Sequence, residues 1–346
     1  MNNKEIVARR FYNSGLLKKF ENVDNLIMGL FGIQSQYYNH ALYNIYNRLD
    51  YVSESGANFL QDTKLILGWG QRNTLHIYNY EVWRVINAFL QQKTWVEKYF
   101  TKQNIDLNSE IDYFYNITNH EGMLITDLKN KYKDRWSPIF DWSALFLELS
   151  RRGEVYLTID EMGKKFHFFK EAYSLSISKK EIAYQYFSHY GPATISDLSH
   201  FLKISKRIWK EENFEDLESF EHEGNVYYYI KNDFSDYSLK IPPVILIGKY
   251  DPLLVAYAKK DIIIPNSFHK LVWGEAGQIS PVIFVSLKFA GIWNFRVAKN
   301  SIDFRISLIE RYKNESIQNE IKNHLSQFSN WLGKSRIRFN WTKLNE

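Results

Sequence analysis

The sequence predicts an α+β fold, mainly helical: tandem winged helix-turn-helix modules followed by a small C-terminal β-barrel. Three observations lead there. Residues 1–115 carry apolar residues at helical spacing. A short motif at His120 recurs about seventy residues later, each time ahead of helical stretches and a glycine-punctuated pair of β-like runs. From Ile241 onward, β-branched and aromatic residues broken by Pro and Gly take over. The expected modules are 1–116, helical and winged; 117–173, a second winged helix; 174–237, a third; and 238–346, the barrel with a closing helix and tail.

In the first module, Asp24 is placed to cap a helix through DNLIMGLFG, with Leu26, Ile27, Leu30 and Phe31 on one apolar face. Gly32 stands where a glycine would stop that helix, and a helical period resumes through Tyr38, Leu42, Ile45 and Leu49. Between them, Ile33-Gln34-Ser35-Gln36 is expected as an extended break. Side chains at i and i+2 diverge by about 200° on a helix but point the same way on an extended segment. A break therefore sets the amides of Gln34 and Gln36 side by side. The alternative is one kinked helix with two solvated glutamines.

The repeated motif is His120-Glu121-Gly122 with Thr126-Asp127-Leu128, echoed by His189-Tyr190-Gly191 with Ser196-Asp197-Leu198. Thr126 and Ser196 are placed to cap the short helices DLKNKY and DLSHFL. Each copy runs on into a hairpin sequence, GEVYLTIDEMGKKFHFF or FEHEGNVYYYI, which is the order of a winged module. In the second copy, Ser205 is placed to cap KRIWKEENFEDL as a recognition helix. Lys206, Arg207 and Lys210 then lie on its first turns, where such a module meets nucleic acid. They read equally as ordinary solvated charges, with Glu211 and Glu212 beside them. Lys129, Lys131, Lys133 and Arg135 of the first copy allow the same two readings.

In the last module, IPPVILIGKYDPLLVAY, SPVIFVSLKFAGIWNFRVAK and IDFRISLI predict strands. An amphipathic helix follows around Ile317, Ile321, Leu325 and Trp331. The alternation of Ile337, Phe339 and Trp341 in SRIRFNW predicts an added edge strand. Asp251 reads as a turn residue ahead of Pro252.

Composition narrows the function. With 45% hydrophobic and 24% charged residues, the 346-residue chain is globular and long enough for two or more units. No run approaches the roughly 20 apolar residues of a membrane span. MNNKEIVARR lacks the apolar core of a signal peptide, so a cytoplasmic protein without membrane contact is expected. The absence of cysteine excludes disulfides and thiolate chemistry. The nine histidines lack metal-ligand spacing, and there is no phosphate-cradling glycine loop, HExxH helix or G-x-S-x-G elbow. No metal and no cofactor are expected. A net charge of +5 permits a polyanionic partner.

Gly32-Ile33-Gln34-Ser35-Gln36 resembles the Gly-Leu-Gln-Ala-Gln stretch of the AlkZ-type DNA glycosylases, a winged helix DNA-binding family. Further pieces follow in order: Arg48 at a helix end, Arg72-Asn73-Thr74-Leu75-His76, His189-Tyr190-Gly191-Pro192-Ala193-Thr194, Tyr250-Asp251-Pro252-Leu253-Leu254 and Ala290-Gly291-Ile292-Trp293. The resemblance runs from Arg9 to about Arg296. There are departures: Asn73 stands for a glycine, Ser35 for a small apolar residue, and Ser286-Leu287 for the Asp-Gly of a hairpin turn. The related YcaQ type carries aspartate in the second glutamine's place, so Gln36 aligns this chain with the AlkZ branch.

The resemblance implies tandem winged helices closing with a barrel into a C-shaped, DNA-lined channel. It implies excision of alkylated purines, N7-linked adducts and crosslinks included, through a site more open than a base-flipping pocket. Gln34 and Gln36 would be the catalytic pair, Thr74 and His76 supporting side chains, and Arg72 a ligand of phosphate or of a structural carboxylate. The partner would be double-stranded DNA with alkylated bases. No dimerisation helix is evident, so a monomer is expected.

The chemistry is consistent from below. An amide has no useful basicity, so it can only position water and donate to sugar or phosphate. That suffices where the leaving group already carries positive charge, as an N7- or N3-alkylated purine does. The competing reading is a winged-helix regulator without catalysis, which would have no need of the glutamine break.

Overall fold

Met1–Ala57 folds together with Lys179–Glu346, and Asn58–Ser178 forms a second unit. The computed structural model describes residues 1–52, 55–56, 58–90, 94–169, 177–231 and 241–344. The expected boundaries at 173/174 and 237/238 lie outside the described residues; residues 116 and 117 lie within the helix Leu107–Thr118.

The first unit is organised on a five-stranded sheet. In spatial order the strands are Arg336–Leu344, Ser301–Ile309, Lys288–Val297, Val282–Val285 and Val244–Ile247. The pairings are antiparallel except that of Ser301–Ile309 with Arg336–Leu344, which is parallel. A parallel pair requires a crossover, and the helix Glu315–Trp331 supplies it, burying Ile317, Ile321, Leu325 and Phe328. The alternating tail is thus an edge strand, with Phe339 stacked on Phe304 at 5.3 Å. Ser286 and Leu287 make the hairpin turn at φ 48° and 62° without a glycine. Leu287 keeps its buried side chain against the steric cost of a left-handed residue.

Among the described residues the expected barrel does not close; the sheet stays open. At the outer edge of Val244–Ile247, Leu246 O and the backbone just past the strand bond to the helix Tyr38–Tyr46 and the residue that follows it. Asn47 Nδ2 donates to Leu246 O (2.7 Å), and Tyr43 donates to the same oxygen (3.3 Å). Asn44 accepts from Gly248 N (2.7 Å) and donates to Lys249 O (3.2 Å). The helix thus covers this edge at Leu246 and at the two residues that follow the strand.

The same helix face ends in Arg48, which forks onto Asp251 through two bonds of 2.7 and 2.8 Å. Both side chains are fully buried. Two more donors of Arg48 reach Ser14 O and Asn44 O, and Asp251 also caps Pro252–Val255 by accepting from Leu253 N. Asp251 is therefore the turn residue expected and, in addition, the partner of a buried cation.

Also in this unit, the helices Lys179–Tyr190 and Ile195–Leu202 precede the hairpin Glu218–His222/Asn225–Tyr229. In the second unit, Leu107–Thr118, Ile125–Tyr132 and Ala144–Arg151 precede the hairpin Val155–Asp160/Gly163–Phe168. The sequence echo has a structural counterpart. Leu124, two residues after Gly122, bridges to Lys165; Ala193, two after Gly191, bridges to Tyr228. A Cβ on either glycine would lie 2.4 Å from a carbonyl oxygen, so backbone packs directly on backbone.

Three helix starts differ from expectation. Asn22, not Asp24, caps Val23–Leu30 and accepts from Asn25 N; Asp24 sits inside the first turn, where its charge suits the helix dipole. Thr194, not Ser196, caps Ile195–Leu202 in a capping box with Asp197. Leu124, without a side-chain bond, precedes Ile125–Tyr132. In both copies the helix begins one residue ahead of Thr126 or Ser196. The expected recognition helix also shrinks to the 3-10 turn Lys206–Trp209. Trp209 is buried, with Nε1 on Ser199 Oγ (3.1 Å), and Asn213 turns the chain by accepting from Glu215 N.

Asp251→Ala should cost about 3–5 kcal/mol in denaturant unfolding, because Arg48 is left charged and unpaired in the interior. Adding Arg48→Met should recover part of that loss. A change below about 1 kcal/mol for Asp251→Ala would mean that the pair does not hold this unit together.

Candidate functional site

The helix Val23–Leu30 ends in two consecutive left-handed residues, Phe31 (φ 55°) and Gly32 (φ 80°), and Gly32 N bonds back to Ile27 O. Ile33–Gln34 is extended, and a new helix runs from Tyr38 to Tyr46. The break expected from the sequence is present. Gln34 is buried and Gln36 exposed, and Gln34 Nε2 donates to Gln36 Oε1 at 2.6 Å. That bond orients the second amide: its carbonyl is held, one lone pair remains, and its NH₂ is on the exposed side chain. Ser35 between them is buried, its hydroxyl without a partner among the described residues.

Around the break lie residues that sequence reasoning did not single out. Tyr37 stacks on Tyr250 at 5.8 Å, donates to Gln278 Oε1 (2.8 Å) and lies beneath Lys249 Nζ, 4.1 Å from the ring centroid. The signal was adjacency: Tyr37 follows Gln36, and Lys249 precedes the Tyr-Asp-Pro motif. One turn further, His40 Nε2 lies 3.0 Å from Asn294 Oδ1. That oxygen also accepts from Phe295 N, so the ring nitrogen is the donor. Burial pushes His40 down to about 3, partly offset by the Asn294 bond, with the Lys249 charge adding to the fall.

In the second unit, Arg72, Thr74 and His76 share one loop and strand. Arg72 and Asn73 are both left-handed, at φ 59° and 55°. Asparagine tolerates that conformation, which accounts for its standing where the resemblance has glycine. Thr74 Oγ1 donates to Gln71 O (3.2 Å). His76 Nδ1 donates to Thr74 O (2.8 Å), leaving Nε2 as acceptor toward Arg72 Nη2 at 3.4 Å. Burial, then the Arg72 charge, holds His76 well below the ordinary histidine range. A neutral ring with both nitrogens engaged is suited to orienting Arg72 and not to proton transfer.

Lys206 and Arg207 are exposed on the short turn of the second hairpin module, and Lys210 is exposed directly after it. Among the described residues no group of three His, Asp or Glu is placed to hold a metal, and no helix is long and apolar enough to cross a membrane.

The sequence profile of the family described as DNA glycosylase AlkZ-like matches residues 27–331. Among solved structures, the chain is similar to Streptomyces sahachiroi DNA glycosylase AlkZ, with a TM-score of 0.75 and 16% identity. That match covers 99% of this chain and 100% of the other. No curated protein matches.

Two predictions follow from the geometry. Lys206→Ala with Arg207→Ala should weaken duplex DNA binding by similar factors across sequences and flatten its salt slope by about two. Unchanged binding at every ionic strength would remove this turn from the interface. Acid, in turn, should act against the fold. His40 and His76 have lowered pKa values when folded, whereas the unfolded chain takes up protons near pH 6.5. Stability should therefore be full above that pH and fall as pH drops through it, by about 2 kcal/mol at pH 5 for His40, with His76 acting in the same direction. An unfolding free energy level from pH 7 to 4.5 would contradict the buried, neutral assignment.

Proposed function

The chain belongs to the AlkZ-like DNA glycosylase family, and we propose that it cleaves the N-glycosidic bond of cationic alkylated purines in duplex DNA. N7-alkylguanine and N3-alkyladenine are the substrates in view, with interstrand crosslinks through the same ring nitrogens as an extension. The observation that carries this reading is the 2.6 Å bond from Gln34 Nε2 to Gln36 Oε1 across an extended break.

With one lone pair of Gln36 Oε1 held by Gln34, the other accepts a proton of water and aims the water oxygen at the anomeric carbon. The Gln36 NH₂ donates to the sugar or to a phosphate. Neither amide removes a proton in the rate-limiting step; once the water oxygen has bonded to the anomeric carbon, its surplus proton passes to solvent. The bond breaks because the base departs neutral from a cationic state, and the site stabilises the oxocarbenium-like sugar by orientation and electrostatics. Unmodified bases, poor leaving groups without strong acid catalysis, are spared. Water is the nucleophile and no amine is required, so the product is an abasic site and the enzyme is monofunctional. The two helix-and-hairpin modules support a winged-helix reading with DNA on their exposed basic turns, and a monomer suffices for this chemistry.

The test is single-turnover release of N7-methylguanine, with enzyme in excess over labelled duplex. Gln36→Ala should slow release by about 10²–10³ while DNA affinity stays close to wild type, because the amide acts mainly in the transition state. Gln34→Ala should be milder, on the order of ten- to a hundredfold, through loss of orientation. Gln36→Asp should remain active, since a carboxylate accepts the same bond. Wild-type protein that binds this DNA but never releases base would sink the proposal in favour of a non-catalytic DNA-binding protein.

A further inference from the structure

Lys249 differs from the exposed lysines of the hairpin modules. Its backbone is fixed on both sides: Gly248 N donates to Asn44 Oδ1, Lys249 O accepts from Asn44 Nδ2, and Tyr250 is left-handed at φ 52° and stacked on Tyr37. A Cβ on Gly248 would come within 2.7 Å of Asn44 Oδ1, so the approach to the helix tolerates no other residue. The side chain is half-buried, and its ammonium lies 4.1 Å from the Tyr37 ring centroid. Among the described residues no carboxylate pairs with it. Tyr37 itself is tethered through its hydroxyl to Gln278. The result is a cation fixed next to the glutamine break, with no anion assigned to it.

A cation there would repel a positively charged purine, so it does not hold the damaged base. It suits the opposite charge in the same substrate. We infer that Lys249, supported on Tyr37, holds one backbone phosphate flanking the damaged nucleotide and so fixes the sugar opposite Gln36. Two further features favour an anion at this place. No side chain caps the Tyr38–Tyr46 helix at Tyr37, and the Gln36 amide beside it is exposed. Lys249 is in this sense a positioning residue; its partner is a phosphodiester, and its action on the chemistry is through the placement of the sugar. This inference rests on the glycosylase reading.

The experiment is a scan of lesion duplexes, each with a single neutral methylphosphonate at one position around N7-methylguanine, measured for affinity and for single-turnover release. Wild-type protein should lose about five- to tenfold in affinity at one flanking position and little elsewhere. Lys249→Gln should bind the unmodified duplex about as weakly, lose nothing more at that position, and show a salt slope lower by about one. Lys249→Arg should restore the sensitivity. A loss at that position that persists undiminished in Lys249→Gln, or a Lys249→Gln protein that binds as wild type does, would overturn the contact while leaving excision intact. Failure of the wild-type protein to bind or to release base from any duplex would overturn the glycosylase reading and this inference with it.

Discussion

The buried fork between Arg48 and Asp251 is the constraint on which the first unit depends. Two ions with no exposed surface are tolerated only if every lone pair and proton is answered, and here nearly all are, by each other and by Ser14, Asn44 and Leu253. The pair ties the end of the glutamine-bearing helix segment to a point two hundred residues later in the chain. His40, Tyr43, Asn44 and Asn47 lie on the same helical stripe and extend the attachment along one strand edge and its neighbours. Helix and strand therefore have a fixed register. The helix that follows the glutamine break is thus held by polar contacts as well as by the burial of Ala41, Leu42 and Ile45.

That polar stripe explains what could be seen in the sequence and what could not. The glutamine break was legible because glycine after an apolar helical face is a local signal, answered by the two left-handed residues at 31 and 32. The edge strand at 336–344 was legible from its alternation. The open sheet was not. Strand composition predicts strands, but closure depends on what occupies an edge, and Asn44 and Asn47 appear in the sequence as unremarkable helix residues. The same reasoning covers Asp251, which was readable as a turn residue from Pro252 but not as the partner of Arg48.

The recognition-helix expectation failed for a related reason. KRIWKEENFEDL has helical composition, yet burial of Trp209 against Ser199 and the turn at Asn213 stop it after a single turn. Its acidic half is drawn into ion pairs, Glu212 with Lys179 and Asp216 with Lys180. The cations keep their exposure while the scaffold beneath them is shorter than the sequence implied. The grouping of Arg72, Thr74 and His76 was readable from the resemblance. The bonds that Thr74 and His76 make to the backbone of their own loop leave no mark in the sequence.

The hydrogen bond between the glutamines has a direction, and direction makes the two positions unequal in evolution. Position 34 must present a donor inward and position 36 an acceptor. A carboxylate can enter at 36 and keep the bond in charge-assisted form. At 34 it would keep the bond only if the exposed Gln36 amide turned over to donate its NH₂, and the carbonyl now held by Gln34 would then lose its partner. A lineage that trades an amide for an acid thus has one route that keeps the direction of this bond, and it leads through the second residue.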